Sequence, residues 1–179
     1  LYAGYYKGWL DGVFSWITSL TMALPGIIVL LAARAVVGPS VWWAMVIFGA
    51  LMSPAFYRLV YASVSSVREE LYVDAARVAG LSDTRIIARH ILGVVRAPII
   101  IQAAMVLGIA IAIQSGLEFL GIGDAQTPTW GSMLNSAYYN QTYPMQMVWP
   151  GLAISLTVLS VNYVGDGLRD ALDPRIRGR

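Results

Sequence analysis

Four stretches of the chain are apolar over a length that matches a lipid bilayer: residues 17–37, 41–62, 97–115 and 147–165. At about 1.5 Å per residue the first makes a helix of about 31 Å, against a hydrocarbon core of about 30 Å. The pattern therefore predicts an all-α bundle with four membrane spans in one transmembrane domain, residues 1–179. Pro25-Gly26 falls inside the first span and Pro54 inside the second, and each is expected to kink the helix there. Arg34, near the end of the first, is expected to reach toward the outer surface along its aliphatic stem. Gly49 and Ser53 offer a small-xxx-small contact in the second span, and Ala104, Gly108 and Ala112 recur every four residues along the third. Such a stripe either lines a pore or admits a neighbouring helix. Packing is the favoured reading, because small side chains let backbones approach.

The polar segments between the spans differ in character. Residues 66–96, SVREELYVDAARVAGLSDTRIIARHILGVVR, hold five arginines and four acids. They read as two short helices with a break. Ser66 and Glu69 have capping-box spacing, which would start the first helix. Gly80 suits the left-handed residue that ends it, and Ser82 with Asp83 suits the start of the second. On the first helix Leu71, Ala75 and Val78 share one side, with Tyr72, Ala76 and Ala79 beside them, and Asp74 can pair with Arg77 one turn on. On the second, Arg85, Arg89 and Arg96 fall along one face. They either meet anionic headgroups or serve only to fix topology. Residues 1–18 place Trp9, Val13, Trp16 and Ile17 at helical spacing, which predicts an interfacial helix leading into the first span. Residues 116–146 contain no lysine or arginine. Their glycines and prolines rule out one long helix and predict short interfacial helices. Trp130, Tyr138, Tyr139 and Tyr143 there form either a docking surface or a plain aromatic belt.

Composition and charge narrow the reading. Hydrophobic residues make up 58% and charged residues 12%, whereas a soluble domain carries roughly 25% charged residues. The net charge of +2 gives no reason to expect nucleic acid. Basic residues sit in 66–96 and in the tail, which holds Arg169, Arg175, Arg177 and Arg179. The positive-inside rule then places the N-terminus, residues 66–96 and the C-terminus in the cytoplasm, and 116–146 outside. With no cysteine, one histidine (His90) and one lysine (Lys7) outside any phosphate-loop pattern, thiolate, paired-histidine and P-loop chemistry are excluded within these residues. An interfacial role for His90 is favoured over catalysis. The spans carry no aspartate or glutamate, which weighs against a proton- or sodium-coupled carrier. A self-sufficient channel or carrier, and a purely structural membrane subunit, remain the other classes.

Asp74-Ala75-Ala76, then Gly80, then Ile91-Leu92 resembles the EAA motif of ABC-importer permeases. So do the flanking runs Tyr72-Val73-Asp74-Ala75-Ala76-Arg77 and Arg89-His90-Ile91-Leu92. Phe119-Leu120-Gly121-Ile122-Gly123, Pro128-Thr129-Trp130-Gly131-Ser132-Met133 and Pro150-Gly151-Leu152-Ala153-Ile154 extend the likeness. Together with the ending from Gly165 to Arg175, they resemble the dipeptide/oligopeptide/nickel permease family, in its C-type subunit, over nearly the whole chain. Asp74 stands for the usual glutamate, Gly93 for the usual proline and Glu118 for a small polar residue. The family is longer at its N-terminus, so this chain, which begins at Leu1, is expected to lack one span and most of another. The resemblance implies a non-enzymatic permease subunit of the bacterial inner membrane, without cofactor or metal, that imports peptides by alternating access. Its implied partners are a second homologous permease subunit, cytoplasmic ATPase subunits, an extracytoplasmic solute-binding protein and membrane lipid. Tyr72, Asp74, Ala75, Ala76, Arg77, Gly80 and Leu81 would couple to the ATPase. Glu118, Trp130, Asn135 and Tyr138 are candidates for the gate or for binding-protein docking.

Overall fold

The computed structural model describes residues 1–38, 40–124, 126–140 and 143–172. Every regular element among them is helical: α1 (Tyr2–Tyr6), α2 (Trp9–Ala23), α3 (Gly26–Val37), α4 (Val41–Arg68), α5 (Leu71–Val78), α6 (Asp83–Ile86), a π-helical turn (Ile87–Ile91), α7 (Leu92–Phe119), α8 (Trp130–Tyr139) and α9 (Met145–Leu172). Val41–Arg68, Asp83–Phe119 and Met145–Leu172 are each long and apolar enough to cross a membrane, and α2 with α3 makes a fourth if the pair is one broken span. The tail arginines Arg175, Arg177 and Arg179, with Pro39, lie outside the described residues.

Several expected boundaries move. The first apolar stretch is two helices separated at Leu24-Pro25. Proline lacks the amide proton that would continue α2, and Pro25 sits instead at the N-cap of α3, where none is needed. The Ser66/Glu69 capping box does not form, because α4 runs on through Ser66 to Arg68. Extending an existing helix by a turn costs less than nucleating a new one. The short helix begins at Leu71, with Glu70 at its N-cap and no side-chain cap. The second short helix is not separate either: α6, the π turn and α7 follow one another without a gap from Asp83 to Phe119. Gly93 is tolerated inside a helix at about 1 kcal/mol, where a proline would more readily interrupt it.

The chain divides into two compact units. The first comprises Leu1–Ala23, Met52–Gln102 and Leu168–Arg179. Its core gathers Tyr5, Val64, Val73, Ala76, Ile86, Ile87, Ile91 and Val95, all under 9% exposed. α1 lies on α4 because Gly4 has no side chain: a Cβ there would come within 3.1 Å of the Val64 Cβ. α2 is tied to α4 through the Asp11 carboxylate, which accepts hydroxyls from Tyr61 at 2.8 Å, Ser15 at 2.9 Å and Tyr57 at 3.1 Å.

The second unit comprises Leu24–Leu51 and Ala103–Gly167, with Leu30, Ala44 and Leu117 at its centre. The small stripe on α7 packs against α9. A Cβ on Gly108 would lie 3.0 Å from the Asn162 side chain, and one on Gly165 would lie 3.2 Å from the Ala104 Cβ. Among the described residues Gly49 has nothing within 4 Å of a built Cβ, so no neighbour packs closely against that glycine. Arg34 does not reach outward. It is 4% exposed and donates to the Ile122 carbonyl, because the loop after α7 returns over α3.

Candidate functional site

The first candidate is the α5 elbow in the first unit. Its eight residues turn two apolar sides in different directions. Val73 and Ala76 are buried in the core of the unit, while Leu71 is 84% and Val78 90% exposed. Ala75 and Tyr72 are exposed with them. Ala76, expected on the partner-facing surface, thus serves the fold instead. The polar edge carries the Arg77–Asp74 pair at 3.0 Å.

The C-terminus of α5 is closed as the sequence suggests. Gly80 has φ +78°, the Gly80 amide donates to the Arg77 carbonyl at 2.9 Å, and the Leu81 amide donates to Ala76 at 3.1 Å. That pair of bonds is the Schellman motif. Leu81 then packs onto the buried cluster. Ser82 occupies the next N-cap position without a side-chain cap bond.

Asp83 opens α6 as expected and has a second role besides. Its carboxylate accepts the Tyr5 hydroxyl at 2.7 Å and the Tyr6 hydroxyl at 3.1 Å. Tyr5 also accepts from Arg77 Nε at 3.3 Å, and its ring lies beneath the guanidinium groups of Arg77 (5.3 Å) and Arg68 (5.8 Å). Burial, and then the bond to Asp83, raise the Tyr5 phenol above its ordinary pKa. One aromatic side chain from α1 therefore braces the end of α4, the end of α5 and the start of α6. Sequence reasoning missed it, since a pairing between residues 78 positions apart leaves no local pattern. His90, in the π turn, stacks near Tyr72 with ring centroids 6.5 Å apart. Tyr5→Phe should remove about 0.5–1.5 kcal/mol of this bracing. Hydrogen exchange should report it as faster exchange of α5 amides, with α8 amides unchanged.

The second candidate lies in the second unit. α7 ends at Gly121 (φ +79°) in a second Schellman motif, with Gly121 donating to Glu118 and Ile122 to Leu117, both at 3.0 Å. Asn135 of α8 donates its Nδ2 to the Phe119 carbonyl at 2.6 Å. Glu118 is 6% exposed, and its Oε1 accepts from Gln114 Nε2 at 2.6 Å. Gly131 lies so close to α7 that a Cβ would come within 2.5 Å of the Ser115 carbonyl and 2.6 Å of the Glu118 Cβ. α8 starts at Trp130 in a capping box formed by Thr129 and Ser132. Asp124 accepts the Gln126 amide and the Thr127 hydroxyl, and these bonds lower its pKa.

A cavity of about 780 Å³ opens here, lined by Glu118, Asp124, Asn135 and Trp149 among others. Of the four candidates, Glu118 and Asn135 share this cavity. Trp130 (43% exposed) and Tyr138 (50% exposed) do not line it, and Tyr138 stacks edge-on against Phe119 at 5.8 Å.

Comparison with known proteins identifies the family. The family described as "Binding-protein-dependent transport system inner membrane component" matches residues 1–178. The chain is 43% identical over 179 residues to the dipeptide transport system permease protein DppC of Alkalihalophilus pseudofirmus, covering 99% of this chain and 59% of that protein. It is 41% identical over 176 residues to the glutathione transport system permease protein GsiD of Escherichia coli and of Shigella boydii, covering 97% of this chain and 58% of each relative. The chain thus spans less than two thirds of the length of these relatives.

Proposed function

The chain belongs to the family of binding-protein-dependent transport system inner membrane components, and from that premise we propose that it is the permease subunit of an ATP-driven importer that moves peptides inward across the bacterial inner membrane. The cargo follows from the dipeptide and glutathione systems named for its relatives. The charge asymmetry supports a cytoplasmic elbow and C-terminus and an external 116–146 segment.

One observation carries the coupling role. α5 is short, braced from within by Val73, Ala76, Leu81 and Tyr5, and yet presents Leu71 and Val78 almost fully to solvent. A helix held rigidly on one side with an apolar face left open on the other fits a groove on another protein. We assign that groove to a cytoplasmic ATPase subunit. ATP-driven closure of the ATPase pair would move α5, and the spans would follow by alternating access. A second homologous permease subunit and an extracytoplasmic binding protein complete the proposed assembly. The outer cavity at Glu118 and Asn135 is the proposed gate, and exposed Trp130 and Tyr138 the proposed docking surface.

Leu71→Asp with Val78→Asp tests the reading. Both side chains already face water, so the permease should remain folded and inserted. The ATPase should fail to co-purify, and uptake should be lost. Retained ATPase and normal uptake in that variant, or solute movement by the purified permease without any ATPase, would overturn it.

A further inference from the structure

The first unit contains a second cavity, of about 690 Å³, that shares no lining residue with the α5 elbow. It lies between the last turns of α4, the first turns of α7 and the last turn of α9. Its charged side chains are Arg96 and Arg169, and among the described residues no aspartate or glutamate lines it. Ser66 adds an exposed hydroxyl, whereas the Ser63 hydroxyl already donates to the Leu59 carbonyl at 2.9 Å. The remaining wall is apolar, built by Val67, Val94, Pro98, Ile101 and Leu172. Arg96 stands just before the apolar run of α7 and Arg169 in the last turn of α9. Arginines at the ends of apolar helices sit at the depth of the lipid headgroups.

We propose that this cavity is a binding site for an anionic phospholipid, with the phosphate held between Arg96 and Arg169 and the glycerol and upper acyl chain lying along the apolar wall. A free phosphate would use the two guanidinium groups and leave that wall empty, so the lipid is the better match to the whole surface. Of the three arginines expected along one face, Arg96 lines the cavity. Arg85 and Arg89 do not line the cavity. They precede or lie within the π turn, whose extra residue shifts the helical register by about 100° before Arg96 is reached.

The test uses the full-length protein purified into nanodiscs from lipid mixtures containing phosphatidylglycerol and phosphatidylcholine, with retained lipid read by native mass spectrometry. Each cavity arginine in contact with the phosphate is expected to contribute about fivefold, so Arg96→Gln with Arg169→Gln should reduce retained phosphatidylglycerol by roughly thirtyfold. Arg85→Gln with Arg89→Gln removes the same charge outside the cavity and should change it little. Gly93→Leu keeps every charge. Gly93 lines the cavity and has nothing within 4 Å of a built Cβ, so leucine can enter the space, and retention should fall here too. Equal loss in both arginine pairs would reduce the effect to general surface attraction and overturn the site. So would unchanged retention in Gly93→Leu, or displacement of the lipid by millimolar inorganic phosphate.

Discussion

On the proposed coupling role, Gly80→Val should cut uptake by about 5- to 30-fold while leaving the protein inserted in the membrane. The size follows from the backbone. Gly80 holds φ +78°, and an L-residue there costs roughly 1–2 kcal/mol, more for a β-branched side chain. One to two kcal/mol shifts a conformational ratio by a factor of about 5 to 30. The penalty is purely conformational, because nothing lies within 4 Å of the position a Cβ would take. That separates two variants of similar bulk. Asparagine tolerates the left-handed region and should keep most of the uptake, whereas valine should not. The elbow is where the loss should arise: releasing the strain breaks the Leu81–Ala76 and Gly80–Arg77 bonds and tilts α5 away from its brace. Normal uptake in the valine variant would separate transport from the geometry of this turn.

Gly131→Ala should have the second large effect, this time on stability. The added carbon would meet the Ser115 carbonyl oxygen at 2.5 Å and the Glu118 side chain at 2.6 Å. A backbone oxygen inside a helix cannot swing aside, so α8 must lift off α7. Overpacking of this kind costs about 1–3 kcal/mol, which should lower the thermal midpoint in detergent by roughly 3–10 °C. Lifting α8 also lengthens the Asn135 bond to Phe119 and opens the cavity beside Glu118. Gly116→Ala is the matched control. It lies on the facing helix α7, next to Ser115, with nothing within 4 Å of a built Cβ, and alanine is the better helix former by about 1 kcal/mol. Its midpoint should stay or rise. A Gly131→Ala protein as stable as the parent would mean that α8 does not sit where these distances place it.

Local features of this chain were legible from sequence, and long-range ones were not. The apolar stretches predicted α4, α7 and α9, since bilayer-length runs leave the backbone little choice but a helix. Gly80 and the Asp74–Arg77 pair were legible because each is set by its immediate neighbours. The motif residues named the family before any geometry was known. The capping box at Ser66 failed because a local signal competed with an existing helix, and propagation won. Asp83 opens α6 as its place predicts, but the two tyrosines of α1 that reach its carboxylate leave no local signal. Arg34 was assigned to the surface from its place in the stretch, but a carbonyl 88 residues later holds it inside. Contacts of that span obey neither the helical nor the strand period, so no pattern search finds them.

The end of α7 has a consequence for association. A helix normally leaves its last four carbonyls facing water. Here Gly116 receives the Leu120 amide, Leu117 the Ile122 amide, Glu118 the Gly121 amide and Phe119 the Asn135 side chain. Every acceptor of the final turn already has a donor from within the chain. Covering this tip with another protein therefore strips water from no unsatisfied carbonyl, and the dehydration penalty that accompanies most polar contacts falls away at this point.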